Sequence, residues 1–288
     1  MTEHVHHCAG DNDSKLCVAI IIKLALSVVQ MLGGSLSGSL CLIADALHNL
    51  GDSGSILLAL IARKVGRKAP NSHMTFGYCR ADILGGLANS LILLAVGVYL
   101  IVEAAEKYFS PADVDGWVVL WIAGVALLVN TATAVLTYLT GARGSININA
   151  VFIHSASDSV ASLVVIIAAV LMINYQLHIF DVIATLGISI YVLFNGTKLF
   201  RRCISILMQG VPKGINIDRV KSKIGALDGI EQVEQLHIWQ LDDRHVYLDA
   251  QILLRAKDQE LIKENVRALL SQRYGIKNTV LETRFLQD

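Results

Sequence analysis

The chain has 288 residues and no net charge, with 54% hydrophobic side chains and only 17% charged ones. A soluble globular domain carries roughly 25% charged residues, so an ordinary soluble protein is excluded for most of the length. The absence of a basic footprint excludes a nucleic-acid binder.

Residues 1–14, beginning MTEHVHHCAGDND, read as a cytoplasmic N-terminal tail. No basic segment is followed by a short apolar run, so no cleavable signal peptide is expected. His4, His6, His7 and Cys8 crowd this tail; such a tract either holds metal loosely for delivery or is a disordered tail with no role. The other cysteines, Cys17, Cys41, Cys79 and Cys203, lack paired or C-x-x-C spacing, which argues against a disulfide framework and a thiolate zinc site.

Residues 15–208 read as a six-span transmembrane domain. A helix needs about 20 apolar residues to cross a bilayer, and segments near 15–36, 40–62, 81–104, 117–139, 149–173 and 179–199 qualify. The connections alternate in charge. Arg63, Lys64, Arg67, Lys68 and Arg80 follow span two, Arg143 follows span four, and Lys198, Arg201 and Arg202 end span six; the connection near Lys107–Gly116 holds Asp113 and Asp115 instead. Lysine and arginine collect on the cytoplasmic side, so both termini are expected there. Gly33, Gly34, Gly38 and Gly51 suit close helix approach or bending.

Ionisable residues in the bilayer are costly and mark pathways. Span two, CLIADALHNLGDSGS, carries His48 and Asp52; span five, INAVFIHSASDSVAS, carries His154 and Asp158. Residues four apart share one helix face. One such pair alone reads equally well as an internal hydrogen bond. Two identically spaced pairs, facing each other, offer two imidazoles and two carboxylates, a set that Zn²⁺ accepts tetrahedrally. A cation would also offset the burial of two carboxylates. Asp45, three residues before His48, is expected to orient an imidazole or to serve a pathway, with an extra-ligand role also open. Asp82 and Asn89 share a face of span three, and Asp181 opens span six as an N-cap; no site role is expected for these three.

Residues 209–288 read as a small cytoplasmic domain. A polar helix is expected near 216–227, strands at Val233–Leu241 and His245–Leu254 around a turn at Asp242, a helix from Asp258 to about Tyr274 ended by Gly275, and a last strand near Asn278–Phe285. This αββαβ order suits a two-layer, ferredoxin-like α+β fold. So small a core favours pairing with a second copy. The expected whole is a membrane α-helical bundle of six transmembrane helices followed by that domain.

The pieces SLCLIADALHNLGDS, TFGYCRADIL, HSASDS, DVIATLGISI, LMQGVP and LHIWQL occur in this order along nearly the whole chain. In them the chain resembles the cation diffusion facilitator family, which includes the zinc transporters. The resemblance implies a homodimer whose protomers each export metal from the cytoplasm in exchange for protons. It implies that His48, Asp52, His154 and Asp158 form the transport site. Zn²⁺ is the favoured ion, with Cd²⁺, Co²⁺, Ni²⁺ and Mn²⁺ as further candidates. Protons compete with metal for the same imidazole and carboxylate atoms, as antiport requires.

Some members of that family bind further zinc in the cytoplasmic domain and in the loop after span two. His237 and Glu282 are the candidate ligands here, but Gln251 or Asp249 and Arg284 stand where other ligands would be expected, and His73 is alone in its loop. Arg80 matches a basic residue that pairs with an acidic one after span six; Gln209 occupies that acidic position, so Arg80 is expected to meet Asp82 or lipid headgroups. Short loops and a compact tail suggest a bacterial inner membrane. An intramembrane metalloenzyme is disfavoured, because no H-E-x-x-H motif is present and four protein ligands leave no open position for water. A membrane metal sensor without transport is the remaining alternative.

Overall fold

The computed structural model describes residues 10–66, 68–139, 146–242, 245–255 and 258–285; His4, His6, His7, Cys8 and Arg143 lie outside them. Long helices come first: α1 (Gly10–Ser37), α2 (Leu40–Gly66), α3 (Ala81–Phe109), α4 (Gly116–Leu139), α5 (Ile146–Tyr175) and α6 (Ile179–Leu207). They occupy the expected segments and several run further. The helix α3 continues past its apolar run through Glu103–Phe109, all tolerated by a helix, and stops just before Pro111, which disfavours helical backbone at the residue preceding it. Only Gly38 and Ser39 separate α1 from α2. Gly38 has φ +69°, and a Cβ there would lie 2.8 Å from the Asp113 carbonyl oxygen, so the turn requires glycine.

Among the described residues, Ala81–Phe109, Gly116–Leu136, Phe152–Tyr175 and Ile179–Leu207 are long and apolar enough to cross a membrane, and Ile21–Ser37 is a shorter apolar helix. Their outward faces expose Trp117, Trp121, Leu128, Leu91, Ile92 and Phe194. Such continuous apolar surface belongs in lipid, not water, and the chain is a membrane protein.

The chain forms two compact units, Met1–Leu57 with Asn89–Thr197, and Leu58–Ala88 with Lys198–Asp288. In the first, α4 and α5 form a tightly packed pair. The buried stripe of α4, Val119, Ala123, Ala126, Asn130 and Ala134, follows helical spacing, and α5 offers Ser162, Val165, Ala168, Ala169 and Met172. Small residues let helices approach closely where lipid supplies no hydrophobic drive. Asn130 Nδ2 donates to Ser162 Oγ at 3.3 Å across this seam.

In the second unit, Ile83 of α3 packs with Cys203 and Ile206 of α6. Its C-terminal part runs α7 (Ile217–Gly225), β1 (Ile230–Gln240), β2 (Val246–Leu254), α8 (Gln259–Tyr274) and β3 (Asn278–Phe285). The sheet order is β1-β2-β3, with β1 and β2 antiparallel and β2 and β3 parallel. The parallel pair needs a crossover, which α8 provides. Asp258 caps α8 by accepting from Leu261 N–H, and Gly275 ends it at φ 68°; both are ordinary helix terminators. The core holds Val220 and Ile224 of α7, Leu248, Ile252 and Leu254 of β2, and Val266 and Leu270 of α8. The strand β1 begins at Ile230, three residues earlier than expected, and is bulged in two places.

Candidate metal centre

Two helices of the first unit meet at the His-x-x-x-Asp pairs. One turn of α2 places His48 above Asp52, with Nε2 3.6 Å from Asp52 Oδ2. One turn of α5 places His154 above Asp158, with Nε2 3.7 Å from Asp158 Oδ2. The pairs cross: His48 Nε2 is 3.6 Å from Asp158 Oδ1, and His154 Nε2 is 3.4 Å from Asp52 Oδ2. Each imidazole therefore faces the carboxylate of the other helix as well as its own.

Ligand atoms of His48, Asp52 and Asp158 all lie within 4.8 Å of one another. His154 stands at the rim, its side chain 42% exposed while that of Asp158 is 1% exposed. Buried polar atoms nearly always have hydrogen-bond partners. Here His48 Nε2, Asp52 Oδ2 and Asp158 Oδ1 are buried and have none. Three unpartnered donor atoms converging on one point fit a small cation, and two nitrogens with two carboxylates fit Zn²⁺ in particular.

Backbone packing fixes the geometry. Gly51 lies beside Asp52, and a Cβ there would come within 2.6 Å of Leu93 Cδ2 on α3; glycine lets α2 seat against α3 at the level of the site. Tyr191 of α6 meets the His48 ring edge-on, with centroids 5.7 Å apart. At the N-terminus of α2, the fully buried Asp181 accepts from Ser39 Oγ at 2.6 Å and from the backbone N–H groups of Leu40 and Cys41 at 3.0 and 3.2 Å. Lys107 of α3 donates to the same carboxylate at 2.9 Å. Asp181 thus caps α2 from α6, a partnership its place at the start of span six did not suggest.

Asp45 is buried but stands apart from the converging ligands. Gln30 Nε2 of α1 donates to Asp45 Oδ2, and Asn49 Nδ2 donates to Gln30 Oε1 at 3.1 Å. Sequence reasoning missed Gln30, and it missed Lys23, whose Nζ donates to Asp158 Oδ2 at 2.6 Å. A signal was present: Lys23, Ser27 and Gln30 recur at i, i+4 and i+7, a polar stripe on an otherwise apolar helix.

The other expected residues are dispersed. On the sheet, His237 of β1 pairs with Asp249, whereas Glu282 of β3 pairs with Gln251, one same-face step further along β2. Gln251 Nε2 donates to Glu282 at 2.9 Å, and Arg284 Nη2 is 2.9 Å from the same carboxylate. His73 is exposed in a turn that Asn71 closes by accepting from the His73 and Met74 N–H groups at 2.9 and 2.8 Å. Arg80 Nε is buried without a hydrogen-bond partner, and Gln209 sits at φ 57° just after α6.

Two family models match the chain: the cation efflux transmembrane domain over residues 16–208 and the cation efflux protein cytoplasmic domain over residues 212–282. A cadmium, cobalt and zinc/H(+)-K(+) antiporter of Bacillus subtilis (strain 168) is 31% identical over 265 residues, 90% of this chain and 85% of the relative. The proton-coupled zinc antiporter SLC30A8 of Homo sapiens is 30% identical, covering 93% of this chain and 75% of its own. The zinc transporter ZitB of Escherichia coli (strain K12) is 26% identical, covering 97% and 90%.

Proposed function

The chain belongs to the cation efflux family, and from that premise we propose that it exports a divalent metal ion, Zn²⁺ foremost, in exchange for protons. The family is one of transporters, not enzymes. The observation that carries the reading is the convergence of buried, unpartnered His48 Nε2, Asp52 Oδ2 and Asp158 Oδ1 within one ion's reach. His154, 3.4 Å from Asp52, completes a two-nitrogen, two-oxygen set. Zn²⁺ requires the neutral imidazole and the ionised carboxylate, so each bound metal displaces protons and each arriving proton weakens metal binding. Histidine titrates near neutral pH, which lets a modest proton gradient unload the site. The names of the relatives support zinc, cadmium and cobalt as cargo and protons as counter-ion; Ni²⁺ and Mn²⁺ also accept these ligands.

In this reading all six long helices span the bilayer. Residues 1–14 form the N-terminal tail, 15–208 the membrane domain and 209–288 a ferredoxin-like cytoplasmic domain through which two copies pair. Both termini face the cytoplasm, and the membrane is a bacterial inner membrane, as the prokaryotic relatives support. A sensor that binds metal without moving it is the competing reading, and one assay separates them. Purified protein in sealed proteoliposomes should take up radioactive zinc when a pH gradient is imposed, and Asp158→Ala should abolish uptake while leaving dimerisation intact. Wild-type vesicles that move none of Zn²⁺, Cd²⁺, Co²⁺ or Mn²⁺ under the gradient would leave only the sensor.

A further inference from the structure

The polar stripe of α1 brings a lysine to the metal ligands. Lys23 Nζ lies 2.6 Å from Asp158 Oδ2 and 3.5 Å from His154 Nε2, and the Lys23 side chain is only 12% exposed. The partner residues are 135 and 131 positions away in sequence, so the approach is made by packing α1 against the site, not by local chain geometry. A short ammonium–carboxylate hydrogen bond of this kind is among the stronger polar contacts. It uses one oxygen of the carboxylate whose other oxygen, Oδ1, is buried and unpartnered.

An ion held by these ligands would sit about 2.0–2.2 Å from each donor atom. The Lys23 ammonium touches two of the same residues, so ion and ammonium would stand within a few ångströms of each other with little water between. Like charges that close repel strongly in a medium of low dielectric. Both also compete for Asp158. Divalent metal and Lys23 therefore exclude one another from this end of the site.

From this we infer that Lys23 is a tethered competing cation: its ammonium neutralises Asp158 whenever the metal has left, and must swing aside before metal can bind. The inference rests on the metal reading of His48, Asp52, His154 and Asp158. Two consequences follow. The carrier returns without a bare buried carboxylate pair, which the bilayer would penalise. Metal affinity is lowered, because only the fraction of molecules with Lys23 withdrawn can bind; release into the far compartment is eased by the same amount.

The test is zinc binding to the purified full-length chain in nanodiscs, measured by competition with a fluorescent chelator, beside transport in proteoliposomes. Lys23→Met removes the charge and keeps the length. It should bind Zn²⁺ about tenfold or more tightly, as expected when a dominant non-binding state is removed. Both KM and maximal rate of transport should fall, because the ion is now held too well. Lys23→Arg keeps the charge and should keep wild-type affinity. Lys23→Gln provides the same charge removal if Lys23→Met is lost in purification. Unchanged or weaker zinc binding in the neutral variants, alongside lost binding in Asp158→Asn, overturns the tethered cation and leaves the metal site standing. Tightened binding in Lys23→Arg also overturns it, since charge would then not be the competitor. Wild-type binding in Asp158→Asn instead overturns the metal site itself.

Discussion

Asp45, Gln30 and Asn49 form a buried relay between α1 and α2, one turn from His48. Gln30 supplies a partner for Asp45 Oδ2, while Oδ1 is buried without one. Gln30→Ala leaves Asp45 without it and should destabilise the protein by about 1–3 kcal/mol, read as a lowered thermal midpoint in detergent. Asp45→Asn tests a separate point. A carboxylate that orients a liganding imidazole typically matters by ~10–100-fold in metal affinity, but Asp45 is held by Gln30 and lies outside the converging ligands. Its zinc affinity should drop by less than that range; a larger loss in a chelator competition would return Asp45 to the ligand set. At this scale the two His-x-x-x-Asp pairs were legible because their spacing is local and repeated. Lys23 and Gln30 stand with Ser27 on a polar stripe of α1, but that stripe by itself names no partner. Their partners are chosen by helix packing across 135 and 15 residues.

The helix that carries half of the candidate site is anchored at one end and seated at its middle. Asp181 and Lys107 hold its N-terminus through the Ser39 hydroxyl, two backbone N–H groups and an ammonium, and Gly51 lets its middle turn lie against Leu93. Asp181→Ala leaves the Lys107 ammonium without its counter-charge, held only by the Gly38 carbonyl, and breaking a buried ion pair typically costs about 3–5 kcal/mol. The thermal midpoint should fall sharply. Asp181→Asn, which keeps an acceptor for the N–H groups, should fall less, and equal loss in both variants would mean that the charge pair alone mattered. The elements themselves were readable from sequence in their order and nearly in their bounds, because apolar run length and caps such as Asp258 and Gly275 are local signals. The bulges of β1 and the start of that strand at Ile230 were not, because they depend on its register against β2.

Across the whole molecule, the candidate metal site in the long helices and the sheet of the C-terminal domain make different demands on zinc. The sheet keeps its own apolar core, and on its open side Trp239 stacks on Tyr247 at 5.7 Å while Phe76 meets Tyr247 edge-on. Glu282 is already occupied by Gln251 and Arg284, and His237 stands one same-face step away, so among the described residues this sheet holds no converged set of free ligands. Trp239 can report on this region alone. The chain has three tryptophans, and Trp117 and Trp121 face outward on α4, where phenylalanine would serve lipid as well. In a Trp117→Phe, Trp121→Phe background, zinc at a hundredfold excess over its dissociation constant should stabilise the helical part by about 2.7 kcal/mol, followed by circular dichroism. The Trp239 fluorescence transition should stay where it is. It should instead move with protein concentration, as the proposed pairing of these domains makes their unfolding a mass-action equilibrium. A Trp239 transition that zinc shifts as far as the helical one would place a second ion on His237 and Glu282, and Glu282→Gln would then have to abolish that shift while sparing the first.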